Sequence, residues 1–76
     1  MAKHNPKNQK AIEMLGGNVR KYRLLSGLTI IQLAGRCEVE YTTISKIERG
    51  LVNTTVSTIV IIAEQLNISP SKLLEE

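Results

Sequence analysis

The sequence predicts an all-α fold, a bundle of five short helices within one domain of 76 residues. Three observations predict it. Apolar residues recur at three- and four-residue intervals, as Ile12, Leu15, Val19 and Tyr22 and again as Ile59, Ile62, Ala63 and Leu66, which gathers them on one helical face. Hydroxyl residues, glycines and Pro70 punctuate these runs where helices start and stop. The chain has no Phe or Trp, so its core must be built from Ile, Leu and Val, which suits packed helices better than a sandwich with many turns. The predicted core joins Val19, Tyr22, Leu33, Ala34, Ile44, Ile47, Ile59, Ile62 and Leu66.

Residues 1–8, MAKHNPKN, are polar and contain Pro6. They read as a mobile arm, either a disordered terminus or a basic arm that follows DNA, or as the frayed entrance to the first helix, and residues 9–76 carry the domain. His4 is solitary in this tail and is assigned no metal. Helix 1 is predicted over Gln9 to Ser26, with Gly27 at the left-handed position beyond its end. Gly16 and Gly17 weaken its middle by about 1 kcal/mol each; they either kink the helix or admit another backbone. Helix 2 runs from Ile30 to Cys37 behind Thr29 as N-cap. Leu33, Ala34 and Cys37 share its apolar face, and the small Ala34 lets a second helix cross closely. Helix 3 covers Tyr41 to Arg49 and Gly50 ends it. Leu51 to Thr54 form a loop. Thr55 caps helix 4, Val56 to Leu66. Ser69-Pro70 starts helix 5, with the hydroxyl as cap and the proline at the first helical position, and Leu73 and Leu74 finish it.

The stretch from Leu28 to Gly50 organises the rest. Its second helix turns Ile44 and Ile47 inward and exposes Tyr41, Thr42, Thr43, Ser45, Lys46 and Arg49, with no acid until Glu48. A hydrogen-bonding, cationic helix of about two turns suits the major groove of DNA. Tyr41, Thr42 and Lys46 lie on one outward face and are the candidate base contacts. Thr29, Gln32, Thr43, Ser45, Arg49 and Asn53 are the candidate phosphate ligands. For each of these the plainer alternative is ordinary exposed helix or loop surface.

These residues carry a resemblance. Gly27-Leu28-Thr29, Leu33-Ala34, Val39, the run Thr43-Ile44-Ser45-Lys46-Ile47-Glu48-Arg49-Gly50, then Ile59, Ile62-Ala63, Leu66, Ile68 and Leu73-Leu74 resemble the phage-repressor and Cro-like helix-turn-helix family of small transcriptional regulators. The likeness spans about Leu15 to Leu74. It implies a lambda-repressor-like five-helix bundle containing a helix-turn-helix. It also implies a structural ion pair between Arg23 and Glu48 that orients helix 3. The sequence departs from the family at three places. Ile30 stands where a phosphate-anchoring glutamine is usual. Glu38 stands where the turn usually has glycine, so either the turn bends differently or a non-glycine residue tolerates positive φ. Glu40 stands where Ser or Thr usually caps helix 3 and often contacts DNA; its charge suits a helix N-terminus but is repelled by phosphate unless it accepts from a cytosine N4 amine.

The resemblance implies a regulator, most plainly a repressor, that binds a near-palindromic operator as a homodimer. Leu51, Val52, Ile61, Leu73 and Leu74 are the expected dimer contacts, apolar where a monomer would want polar residues. Leu51, Val52 and Ile61, with Ile30 and Ile31, support a second reading, an antitoxin-like or adaptor module of this fold that binds a protein partner, and the missing glutamine at position 30 and the acids Glu38 and Glu40 lend it weight.

Charge is uneven. Residues 1–23 hold six cations and one acid, residues 24–50 balance, and residues 51–76 hold one cation and three acids. The basic end favours a polyanion. The single Cys37 makes no internal disulfide, which agrees with a reducing compartment, and its apolar face points to a core thiol rather than a reactive one. One His, one Cys and no Asp give neither a catalytic constellation nor a four-ligand zinc site. No Walker-type or dinucleotide glycine pattern occurs. No enzyme activity, metal or cofactor is expected. With no signal-peptide pattern and no apolar run of membrane length, a cytoplasmic protein is expected.

Overall fold

The computed structural model describes residues 7–76. Of the expected N-terminal arm, residues 1–6, with Lys3 and His4, lie outside the described residues. Asn8 stands at the entrance to the first helix. Its side chain accepts a hydrogen bond from the Ala11 N–H at 2.9 Å and caps the first helix. Four α-helices follow: α1 (Gln9–Leu25), α2 (Ile30–Cys37), α3 (Tyr41–Glu48) and α4 (Val56–Gln65). The expected fifth helix is instead a short 3-10 helix, Pro70–Leu74. Ser69 caps it as the sequence suggests, but the backbone closes with the Lys72 N–H on the Ser69 carbonyl at 2.9 Å, the i→i+3 bond of the tighter helix.

The four α-helices end alike. Gly27, Glu38, Gly50 and Asn67 each take positive φ, between 58° and 71°. In each case the following residue's N–H returns to the carbonyl five residues back: Leu28 to Arg23, Val39 to Ala34, Leu51 to Lys46 and Ile68 to Ala63, at 2.9–3.1 Å. This closure satisfies carbonyls that a helix end would otherwise leave without partners. At Glu38 the geometry is kept and the strain is borne by a residue with a Cβ.

Val19, Leu33, Ile44, Ile62, Ala63 and Leu73 are wholly buried, and Leu15, Leu28, Ala34, Cys37, Ile47 and Leu66 join them. Tyr22 and Ile59, expected in the core, are only partly buried and pack against its edge. Burial pushes the Cys37 thiol pKa up, which keeps it protonated and unreactive.

α1 lies across α3 and the 3-10 helix, and α2 packs on α3 and α4. Three α1 residues one heptad apart meet the C-terminal end of α3. The Gln9 amide donates to the Gly50 carbonyl at 3.0 Å. At Gly16 the backbones nearly touch: a Cβ there would overlap the Ile47 carbonyl and stand 2.9 Å from that of Glu48. Gly16 therefore admits another backbone, while Gly17 faces open space. The third residue is Arg23, paired with Glu48. Further along, the Asn18 amide donates to the Leu73 and Glu75 carbonyls at 2.9 and 2.6 Å and holds the C-terminal segment on α1. Among the described residues, no helix is long and apolar enough to cross a membrane.

Candidate nucleic-acid interface

The surface of interest is α3 with the turn before it and the loop after it. α3 has only eight residues, too few to be stable by itself. Its packing holds it: Ile44 and Ile47 sit in the core, and its C-terminal end is fixed by α1. The Arg23 Nε donates to one Glu48 carboxylate oxygen at 2.6 Å and Nη2 to the other at 2.9 Å, while Nη1 donates to the Leu28 carbonyl at 2.9 Å. The fork geometry of the guanidinium makes this a bidentate pair. Glu48's hydrogen bonds raise the Arg23 pKa; burial opposes them, and the charge of Glu48 adds to the rise.

The pair also shapes the electrostatics. The Glu48 side chain is turned inward, so the exposed charges along Tyr41–Arg49 are Lys46 and Arg49. Tyr41, Thr42, Lys46 and Arg49 are exposed, and Thr43 and Ser45 are half-buried. The Arg49 Nε folds back to the Ser45 carbonyl at 3.3 Å.

The other site residues fall into two groups. Thr42, Thr43, Lys46 and Asn53 line one open cleft of about 360 Å³ beside Val52, Thr54, Thr55 and Thr58. The Thr54 hydroxyl oxygen is buried there without a hydrogen-bond partner. Thr29 and Tyr41 line a separate groove with Leu24, Ile30 and Ile31. Thr29 and Gln32 are engaged with each other. The Thr29 hydroxyl accepts from the Gln32 N–H at 3.1 Å, and the Gln32 side-chain oxygen accepts from the Thr29 N–H at 2.9 Å, a reciprocal capping box. That bond takes the Gln32 carbonyl and leaves its NH₂ to donate.

One expected dimer contact needs correction. Leu73 is completely buried in the chain's own core and offers nothing to a second copy. Val52 is partly buried against the same core. Leu51, Ile61 and Leu74 are exposed. Val56, Leu24 and Leu25 are exposed as well; Leu24 and Leu25, at the end of α1, fall outside that helix's apolar stripe, a signal the sequence does carry.

A helix-turn-helix family model matches residues 19–73. The chain belongs to this family. The helix-turn-helix is formed by α2, the Glu38–Glu40 turn and α3. Control protein C.SmaI of Serratia marcescens is 44% identical over 62 residues, which cover 82% of this chain and 74% of that protein. Among solved structures, the restriction-modification controller protein C.AhdI of Aeromonas hydrophila superposes with a TM-score of 0.79 at 27% identity, covering 82% of this chain and 94% of the other. The biofilm master regulator SinR, solved in complex with DNA, gives 0.77 at 27% identity, covering 80% and 98%. This helix-turn-helix protein is a DNA-binding transcriptional regulator.

Proposed function

We propose that this regulator is a repressor that binds a near-palindromic duplex operator as a homodimer, with α3 in the major groove of each half-site. The observation that carries this reading is the Arg23–Glu48 pair. It withdraws an acid from the reading face and fixes the C-terminal end of α3, on which Tyr41, Thr42, Lys46 and Arg49 are exposed. In this reading Tyr41, Thr42 and Lys46 contact bases. Thr29, Gln32, Thr43, Ser45, Arg49 and Asn53 hold the phosphates that set the register. One 76-residue unit covers a half-site, and a two-fold dimer places the two reading helices roughly 34–36 Å apart, one turn of the duplex. Exposed Leu51, Val56, Ile61 and Leu74 supply the apolar surface for the second copy.

The groove of Leu24, Ile30, Ile31 and Tyr41 favours a second reading, a module that binds a protein partner through this face. Titration of duplexes selected from a random pool separates the two. Lys46→Ala should cost roughly 1–3 kcal/mol on the selected site and relax preference at one base position, while Arg49→Ala should weaken all duplexes alike and lower the salt slope by about one contact. If both variants bind as the parent does, α3 is not the reading element and the protein-binding module takes its place. Sedimentation that finds only monomer, with duplex and without, would remove the dimer.

A further inference from the structure

The side chain at the entrance to α3 is free in a way its counterparts are not. Asn8, Thr29 and Thr55 cap α1, α2 and α4, each accepting a hydrogen bond from its own first turn. Glu40 holds the same extended backbone, φ −70° and ψ 151°, yet makes no side-chain cap bond. It is exposed, and among the described residues it takes part in no salt bridge. Among the described residues nothing engages its carboxylate oxygens. Glu40 directly precedes Tyr41 and Thr42 on the face that meets the duplex, and there it would be repelled by phosphate. Bringing a charged acceptor against DNA without a donor costs its desolvation.

From this we infer that Glu40 is a specificity-determining residue that selects cytosine at one position of each half-site; the inference rests on α3 being the reading helix. The major groove offers a carboxylate only two base donors, the N4 amine of cytosine and the N6 amine of adenine. Adenine sets the acceptor N7 beside its amine, which repels a carboxylate. Cytosine sets only a C–H beside its own. Guanine and thymine present acceptors to the groove at that place. The acid thus excludes three bases and accepts one, and it also disfavours DNA that does not supply that base.

The test is selection from random duplexes with the full chain and with Glu40→Ala, Glu40→Gln and Glu40→Ser, the last restoring a capping hydroxyl. The parent should enrich cytosine at one position per half-site. Glu40→Ala and Glu40→Ser should lose that preference alone, keep the others and bind unselected duplex more tightly. Glu40→Gln should move the preference toward adenine, whose N6 and N7 match an amide. N4-methylcytosine keeps its pairing proton and turns its methyl into the groove. Placed at the selected position, it should weaken the parent by roughly tenfold, the scale of one good base contact, and leave Glu40→Ser unaffected. An unchanged cytosine preference in Glu40→Ser, or no cytosine position in the parent's selected sites, overturns the inference and leaves α3 as the reading helix. If the parent selects no duplex at all, the reading of α3 fails with it.

Discussion

Replacing Glu48 by Gln should unfold the protein more readily with no DNA present. Its carboxylate holds the Arg23 guanidinium with two bonds of 2.6 and 2.9 Å, and the two side chains are only 6% and 9% exposed. That burial decides the scale. An exposed pair contributes about 0–1 kcal/mol, whereas removing one member of a buried pair costs about 3–5 kcal/mol, because the remaining charge is left without a counter-charge. Glutamine keeps one acceptor oxygen and Arg23 keeps the Leu28 carbonyl, so the lower end, ~3 kcal/mol, is expected. A chain of 76 residues has roughly 4–11 kcal/mol of stability in all. For a domain of this size ~3 kcal/mol moves the melting temperature down by about 12–24 °C. Thermal unfolding followed by circular dichroism reads this directly. A fall of less than about 4 °C, the effect of under 1 kcal/mol, would refute the argument that the pair is buried and structural. Arg23→Met combined with Glu48→Leu should recover most of the loss, since an apolar pair of similar volume needs no desolvation of charge.

The two adjacent glycines should respond in opposite directions. Gly16→Ala drives a methyl into the Ile47 and Glu48 carbonyls, which cannot rotate away, and should cost at least ~3 kcal/mol; Gly17→Ala meets nothing and should stabilise by about 0.5–1 kcal/mol. Urea unfolding of the two variants checks both, and equal midpoints would contradict the close approach of α1 and α3. Glu38→Gly should relieve about 1–2 kcal/mol of left-handed strain against about 0.5–1 kcal/mol of added chain entropy, raising the urea midpoint with an unchanged slope. A lower midpoint would place stabilising contacts of the Glu38 side chain above its backbone strain.

Much of the fold was legible because the helix limits are written in local chemistry. Thr29, Thr55 and Ser69 cap where expected, Gly27 and Gly50 take the left-handed turn, and α2 has the predicted bounds. Where a helix end used a less typical residue, the signal faded. Asn8 lies in a polar stretch that reads equally as arm or helix entrance, and nothing near Asn67 marks it as the left-handed residue after α4. Glu38 left two turn geometries open, because its side chain says nothing for the conformation the chain imposes. The leucine pair at the C-terminus exposes a different limit. Leu73 and Leu74 are neighbours in a 3-10 helix, where the 3.6-residue period no longer tells inward from outward, and only the first is buried. Gly16 illustrates a third: a glycine pair marks a possible approach, but which of the two is approached depends on where α3 crosses. The exposed residues of α3 follow from helical spacing. Their division between bases and phosphates depends on a duplex and is a property of the complex.

The stripe of Gln9, Gly16 and Arg23 has a consequence for how loss of function would look. Since α3 is helical only within the packed domain, where α1 grips its far end, the binding-competent population is the folded population. Apparent affinity is the intrinsic affinity scaled by that fraction. A variant that is nine-tenths folded loses about a tenth of its affinity, and one that is a tenth folded loses about tenfold. Duplex at a hundred times its dissociation constant returns about 2.7 kcal/mol to the folded side. Damage along the stripe is therefore buffered by operator concentration and then fails abruptly, whereas loss of a base contact at Lys46 would be felt in proportion from the start.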